Sequence, residues 1–238
     1  MLNRNPMNTM KTLILLFFIT GSTVMAQQVP ADEPESSRKR NETDQKIYQM
    51  ALRYNDVVVA RVKLFELMDR NPTNARYPEL LASLYFETNQ YGSAAVAALD
   101  ALEKNDKSIP ALEVAAYSLE QLGALDRALP QFERLYLLND DIFSLYKTAY
   151  LQYSLKRYEE ALNSINMLVK NTKSNEQKLG FPKEDDSTQE VSVKAAALNL
   201  KGLVYLDQGS KAEAKTAFEQ ALELSPDFEL AVLNLKGL

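Results

Sequence analysis

The chain has 238 residues, 46% hydrophobic and 25% charged, with 27 Lys and Arg against 32 Asp and Glu and so a net charge of −5; this is the balance of a chain that folds, long enough for one domain or a short array. It has no His and no Cys, which excludes thiolate and imidazole metal sites, Ser-His and Cys-His nucleophile pairs, and disulfides. Neither the acidic total nor any local run supplies the basic footprint of a nucleic-acid partner.

At the N-terminus Arg4 and Lys11 precede an apolar run, Leu13 to Ile19, followed by Gly21, Ser22 and Val24-Met25-Ala26. This is the layout of a cleavable secretory signal over residues 1–26, and the run is shorter than the roughly 20 residues of a spanning helix. The expectation is a periplasmic or secreted protein with no stable membrane insertion after cleavage; no Cys follows for acyl anchoring. Removing residues 1–26 takes away two basic residues and no acid, so the net charge moves from −5 to −7. Residues 27–40, with Pro30, Pro34 and Arg38-Lys39-Arg40, read as a disordered, solvated leader.

From residue 41 onward a period emerges. Ala60, Ala94, Ala128, Ala161 and Ala214 are separated by 34, 34, 33 and 53 residues, and each is the small residue at the start of a second helix. The first unit, 41–74, keeps Ala60, Leu64, Leu67 and Pro72. The second, 75–108, carries Leu81, Ala82, Tyr85, Tyr91, Ala94, Ala98 and Ala101, and the third, 109–141, carries Leu112, Ala115, Ala116, Gly123, Ala128 and Phe132. The fourth, 142–175, has Leu145, Ala149, Tyr158, Ala161 and Ile165, and the fifth, 195–228, has Leu198, Gly202, Tyr205, Ala214, Phe218, Ala221 and Pro226.

That fifth segment resembles a tetratricopeptide repeat across nearly its whole motif, departing at Lys201, and the other units are in phase with it. Gln152 stands where Tyr is usual in the fourth. The resemblance implies an all-α fold: an α-solenoid of about five helix-turn-helix units in which small residues such as Gly202, Ala82, Ala116 and Ala149 admit close helix crossings. The final interval exceeds 34 by 19 residues, and the excess falls at about 176–194, expected as a long loop or an extension of the flanking helices; a contact for a partner is the functional alternative. Ala231 to Leu238 nearly duplicates Ala197 to Leu203, with Leu233 to Leu238 repeating Leu198 to Leu203 at an offset of 35, and residues 229–238 read as a helix capping the last apolar face. Self-association into a homodimer through that helix is the alternative.

No glycine cluster cradles a phosphate, and pairs such as Glu159-Glu160 and Asp140-Asp141 need no catalytic explanation, so neither cofactor nor catalytic residue is expected. What the resemblance implies is a surface: first helices line the inner side, and the family's exposed inner positions fall on Phe86 and Glu87, on Glu113, Tyr117 and Glu120, on Phe143, Tyr146, Tyr150 and Tyr153, and on Asn199, Leu203 and Asp207. Tyr146, Tyr150 and Tyr153 follow i, i+4, i+7 and form one stripe. Such aromatics suit a protein interface, rimmed here by Lys147, Glu113 and Glu120; the competing reading is that the stripe packs as core beneath the insertion or a neighbouring helix. The candidate partner-binding residues are therefore Phe86, Tyr117, Tyr146, Lys147, Tyr150 and Tyr153. The expected role is a non-catalytic scaffold for a peptide or helix of a protein partner, with glycan or small-molecule binding as a further alternative.

Overall fold

The computed structural model describes residues 36–238, so the expected signal at 1–26 and most of the leader lie outside the described residues. In chain order the elements are α1 (Ser37–Arg53), α2 (Val57–Arg70), α3 (Arg76–Glu87), α4 (Tyr91–Lys104), α5 (Ile109–Gln121), α6 (Leu125–Asn139), α7 (Ile142–Ser154), α8 (Tyr158–Lys170), a single turn α9 (Lys173–Glu176), β1 (Lys178–Pro182), β2 (Thr188–Ser192), α10 (Val193–Asp207), α11 (Lys211–Leu224) and α12 (Glu229–Lys236). Five antiparallel helix pairs, α1/α2, α3/α4, α5/α6, α7/α8 and α10/α11, pack within themselves and against the next pair. This is the all-α solenoid expected from the period.

The period is written into the turns as well as the core. The chain enters the left-handed region at Asn55, Asn89, Gly123, Lys156 and Gly209, with φ of 56°, 57°, 72°, 58° and 78°, each five residues before the corresponding repeat alanine. At each turn two backbone bonds close the helix end: Asp56 N–H donates to the Ala51 carbonyl and Asn55 N–H to that of Leu52, and the same pair recurs at Gln90/Asn89, Ala124/Gly123, Arg157/Lys156 and Ser210/Gly209. These are Schellman closures, which satisfy carbonyls that the helix end would otherwise orphan. Asp56, Ser108, Asp141 and Ser192 cap α2, α5, α7 and α10 through their side-chain oxygens, supplying acceptors to the first free N–H groups.

The repeat alanines Ala60, Ala94, Ala128, Ala161 and Ala214 are all at 0% exposure. Across from them, Ala82, Ala116 and Ala149 are equally buried, and a Cβ on Gly202 would lie 2.3 Å from Cε1 of Phe218. The α10/α11 crossing thus has room for hydrogen and nothing more. Gln152, in place of the usual Tyr, is buried and stays satisfied: it donates to Glu133 and accepts from the Ser164 hydroxyl at 2.8 Å.

Two expectations need correction. The leader ends earlier than residue 40, because Ser37 to Arg40 already form the first turn of α1. Polar contacts hold that end: Asn41 bonds Asn71 and Arg70, and Asp44 receives Arg70 and Lys63. Burial would raise the Asp44 carboxyl, but the hydrogen bonds from Lys63 and Arg70 outweigh it and hold it below the usual carboxylate range.

The insertion is neither a loop nor a helix extension. It is an antiparallel hairpin in the register Leu179↔Val191, Gly180↔Glu190 and Phe181↔Gln189. Period-two alternation makes it a strand pair: Leu179, Phe181, Gln189 and Val191 turn inward while Lys178, Gly180, Pro182, Thr188 and Glu190 face solvent. Phe181 packs on Phe228 with ring centroids 5.1 Å apart, and Gln189 bonds both the Asp227 carbonyl and the Glu229 N–H at the start of α12. The helix α12 lies against α10 and α11, with Phe228 and Ala231 fully buried beside Ala221 and Leu198.

Gly202→Ala is expected to lower unfolding stability by about 1–3 kcal/mol through overpacking against the Phe218 ring, and Phe218→Leu in that background to restore part of it, both read from urea midpoints. At Lys156, whose φ is 58°, replacement by Gly is expected to raise stability by about 0.5–1 kcal/mol by removing left-handed strain.

Candidate functional site

Helices α3, α5, α7 and α10 are the first helices of their units, and α3 neighbours α5 while α7 neighbours α10. Along this side α7 carries the aromatic stripe, and its three tyrosines differ in environment. Tyr150 is exposed at 43%. Tyr146 is half-buried against the core of the fourth and fifth units, and burial, then the neighbouring Tyr150, push its hydroxyl well above the usual tyrosine range. Tyr153 packs on the same core, with the Tyr158 ring 6.4 Å away. Burial and then the Asp207 carboxylate push its hydroxyl up, and Tyr158 bonds the same carboxylate at 3.3 Å.

The remaining candidates are distributed unevenly. Lys147 Nζ donates to both oxygens of Glu120, at 2.7 and 3.0 Å, and sits 5.8 Å from the centre of the Tyr117 ring. The bridge therefore ties α7 to α5. Tyr117 itself is half-buried and edge-on to Phe132, centroids 5.0 Å apart, and burial, then Asp141, Glu120 and Glu113, push its hydroxyl up. Glu113 is exposed, but partial desolvation and then the nearby Asp141 raise its carboxyl. Phe86 pairs with Tyr91 at 5.6 Å within its own unit and does not join the α7 group.

The residues that do converge are Tyr146, Lys147, Tyr150 and Glu120. With Leu179, Gly180 and Phe181 of β1 and Leu230 of α12 they line a groove of about 470 Å³. Its floor is where two cores meet, since Tyr146 and Leu179 pack on one buried cluster and Phe181 and Leu230 on the other. The β1 and α12 residues were absent from the expected site. The alternation of Leu179 and Phe181 around Gly180 was a signal for them, but it is two residues long. The stripe is thus divided: Tyr150 presents a free aromatic face, while Tyr146 and Tyr153 also serve the core, so replacing all three is not a neutral probe of binding. Among the described residues no group of His, Cys, Asp and Glu could hold a metal ion, and no helix is long and apolar enough to cross a membrane.

Comparison with known proteins agrees with this architecture. Tetratricopeptide repeat models match residues 195–228 and 143–171, so the fifth unit and most of the fourth are tetratricopeptide repeats. Among solved structures it is similar to YrrB, described as a TPR protein with an unusual peptide-binding site, at 17% identity over 80% of this chain and 89% of that one, TM-score 0.63. It is similar also to MamA, at 16% identity over 79% and 93% of the two chains, TM-score 0.60, and to MamA from Desulfovibrio magneticus RS-1, at 13% identity over 80% and 97%, TM-score 0.57. At these identities the likeness is one of fold. No curated protein matches the chain in sequence.

Tyr146→Ala is expected to cost about 2–3 kcal/mol of stability, below the roughly 3–5 kcal/mol of a fully buried aromatic because Tyr146 is half-buried, whereas Tyr150→Ala is expected to stay within about 0.5 kcal/mol of the parent; urea unfolding followed by far-UV circular dichroism checks both.

Proposed function

We propose that this protein is a non-catalytic interaction scaffold that holds a peptide or helix of a protein partner on its first-helix side, over the groove between α7, β1 and α12. The carrying observation is that this groove joins an exposed aromatic, Tyr150, to an apolar floor of Leu179, Phe181 and Leu230 and a polar rim of Lys147 and Glu120. A central aromatic patch with a charged rim is the anatomy of a protein interface. The same reading is favoured by the likeness of fold to YrrB, whose description records a peptide-binding site.

The setting we infer is the bacterial envelope or the exterior. It rests on the signal-like residues 1–26, with their basic start, apolar run and Val24-Met25-Ala26 ending. The acid-rich remainder and the missing Cys fit a chain released after cleavage without an acyl anchor.

A photo-crosslinking residue at position 150 is expected to give a discrete adduct heavier than the chain in native cells, and one at the exposed Val96 of α4 to give none. An adduct of twice the chain mass at position 150 would replace the scaffold reading with self-association; adducts only at position 96 would move the interface elsewhere. For the compartment, mass spectrometry of the purified native chain is expected to find Gln27 as its first residue.

A further inference from the structure

The hairpin leaves half of its hydrogen-bonding capacity unused, and the register says which half. Lys183 N–H donates to the Ser187 carbonyl at one end of the ladder and Val193 N–H to the Gln177 carbonyl at the other, both at 2.9 Å. Residues 177 and 183 are thus hydrogen-bonded positions. In an antiparallel pair such positions alternate with positions whose N–H and C=O point away from the partner strand. The outward positions of β1 are therefore Lys178, Gly180 and Pro182. Pro182, which has no N–H to give, sits where none is required, as expected for an edge strand. Among the described residues the sheet has two strands, and it is β1 that borders the groove: Leu179, Gly180 and Phe181 line it and no β2 residue does.

We propose that the groove takes an extended peptide of a partner protein by strand addition to β1, with a large apolar side chain among Tyr150, Tyr146, Leu179, Phe181 and Leu230 and a Lys or Arg directed toward Tyr117. This rests on the groove reading above and chooses the extended peptide over the helix. The backbone of a helix is already paired internally, so it has no donors or acceptors for Gly180 and Lys178; an extended segment has both. The edge itself is well held: Phe181 is fixed against Phe228, and Gln189 clamps the start of α12 from the other strand. Such preorganisation lowers the cost of ordering on binding. Charge selects the basic residue. The carboxylates Glu113, Glu120 and Asp141 all act on the Tyr117 hydroxyl, while Lys147, 5.8 Å from the ring centre, is already engaged by Glu120.

The test uses the full chain without residues 1–26 and a positional-scanning set of synthetic octapeptides as probe. Selection of a large apolar residue together with Lys or Arg is expected; selection of acidic residues, or of apolar residues spaced i, i+4, overturns the proposal. With the best selected peptide, amide exchange at Gly180 is expected to slow on binding, and Gly180→Pro to weaken affinity about tenfold, the worth of one backbone hydrogen bond with its geometry. Val96→Ala, at an exposed position of α4 outside the groove, is expected to bind within about twofold of the parent. If Tyr150→Ala loses binding while Gly180→Pro keeps it, strand addition fails and the groove reading stands. If neither variant loses binding, or the set selects nothing, both fail. Protection at Gly180 in the free protein that vanishes on dilution, with dimers dissociating in sedimentation, overturns the proposal in favour of a second copy at this edge.

Discussion

The second to fifth units of this molecule depend on two helices crossing more closely than ordinary side chains permit. At the fifth unit the limit is visible in one contact, where a single methyl on Gly202 would overlap the Phe218 ring. Alanines meet the same demand in the second, third and fourth units, fully buried at 82, 116 and 149 and at the repeat positions opposite. A close crossing fixes the angle within the pair, and the pair then offers a reproducible face to the next. The left-handed turn residue contributes at the same step, because it reverses the chain within a few residues and leaves the second helix no choice of register.

Most of this architecture was legible because the constraint acts on residue size, and size is visible in a sequence. Ala60, Ala94, Ala128, Ala161 and Ala214 marked the second helices, and the motif from Leu198 to Pro226 identified the unit. The hairpin was not legible, because Gly180 and Pro182 are loop residues by propensity and only Leu179, Phe181 and Val191 carry an apolar pattern. What makes that segment a sheet is tertiary: Val191 and Phe181 pack in one buried cluster with Leu198 of α10 and with Phe228, which is far away in sequence. The candidate site was legible to the same partial degree. Placing Tyr146, Tyr150 and Tyr153 on one face followed from helical spacing, but their unequal exposure did not, since it is set by Leu179 above one end and Tyr158 beside the other.

The groove therefore combines two kinds of surface. One wall is helical, with side chains projecting from α7 and α5 and a backbone that is internally satisfied. The opposite wall is the open edge of β1, where the main chain itself is available. A helical array alone offers a ligand only side chains; in the proposed site the edge of β1 adds main-chain groups. The ion pair between Lys147 and Glu120 sits at the junction, linking neighbouring units beside the aromatic patch.

The hairpin also begins and ends at nearly the same point in space, since Gln177 and Val193 are joined by a backbone hydrogen bond. Everything between them is a closed excursion from the solenoid, and the spine of stacked helices does not run through it. An excursion of that kind is an exchangeable cassette: its length, edge chemistry and loop can diverge while the scaffold beneath drifts under separate constraints. In the proposed site the edge and loop of the hairpin can therefore vary without entering the helix stack, whereas its inward residues Phe181 and Val191, like Tyr146, also answer to the core.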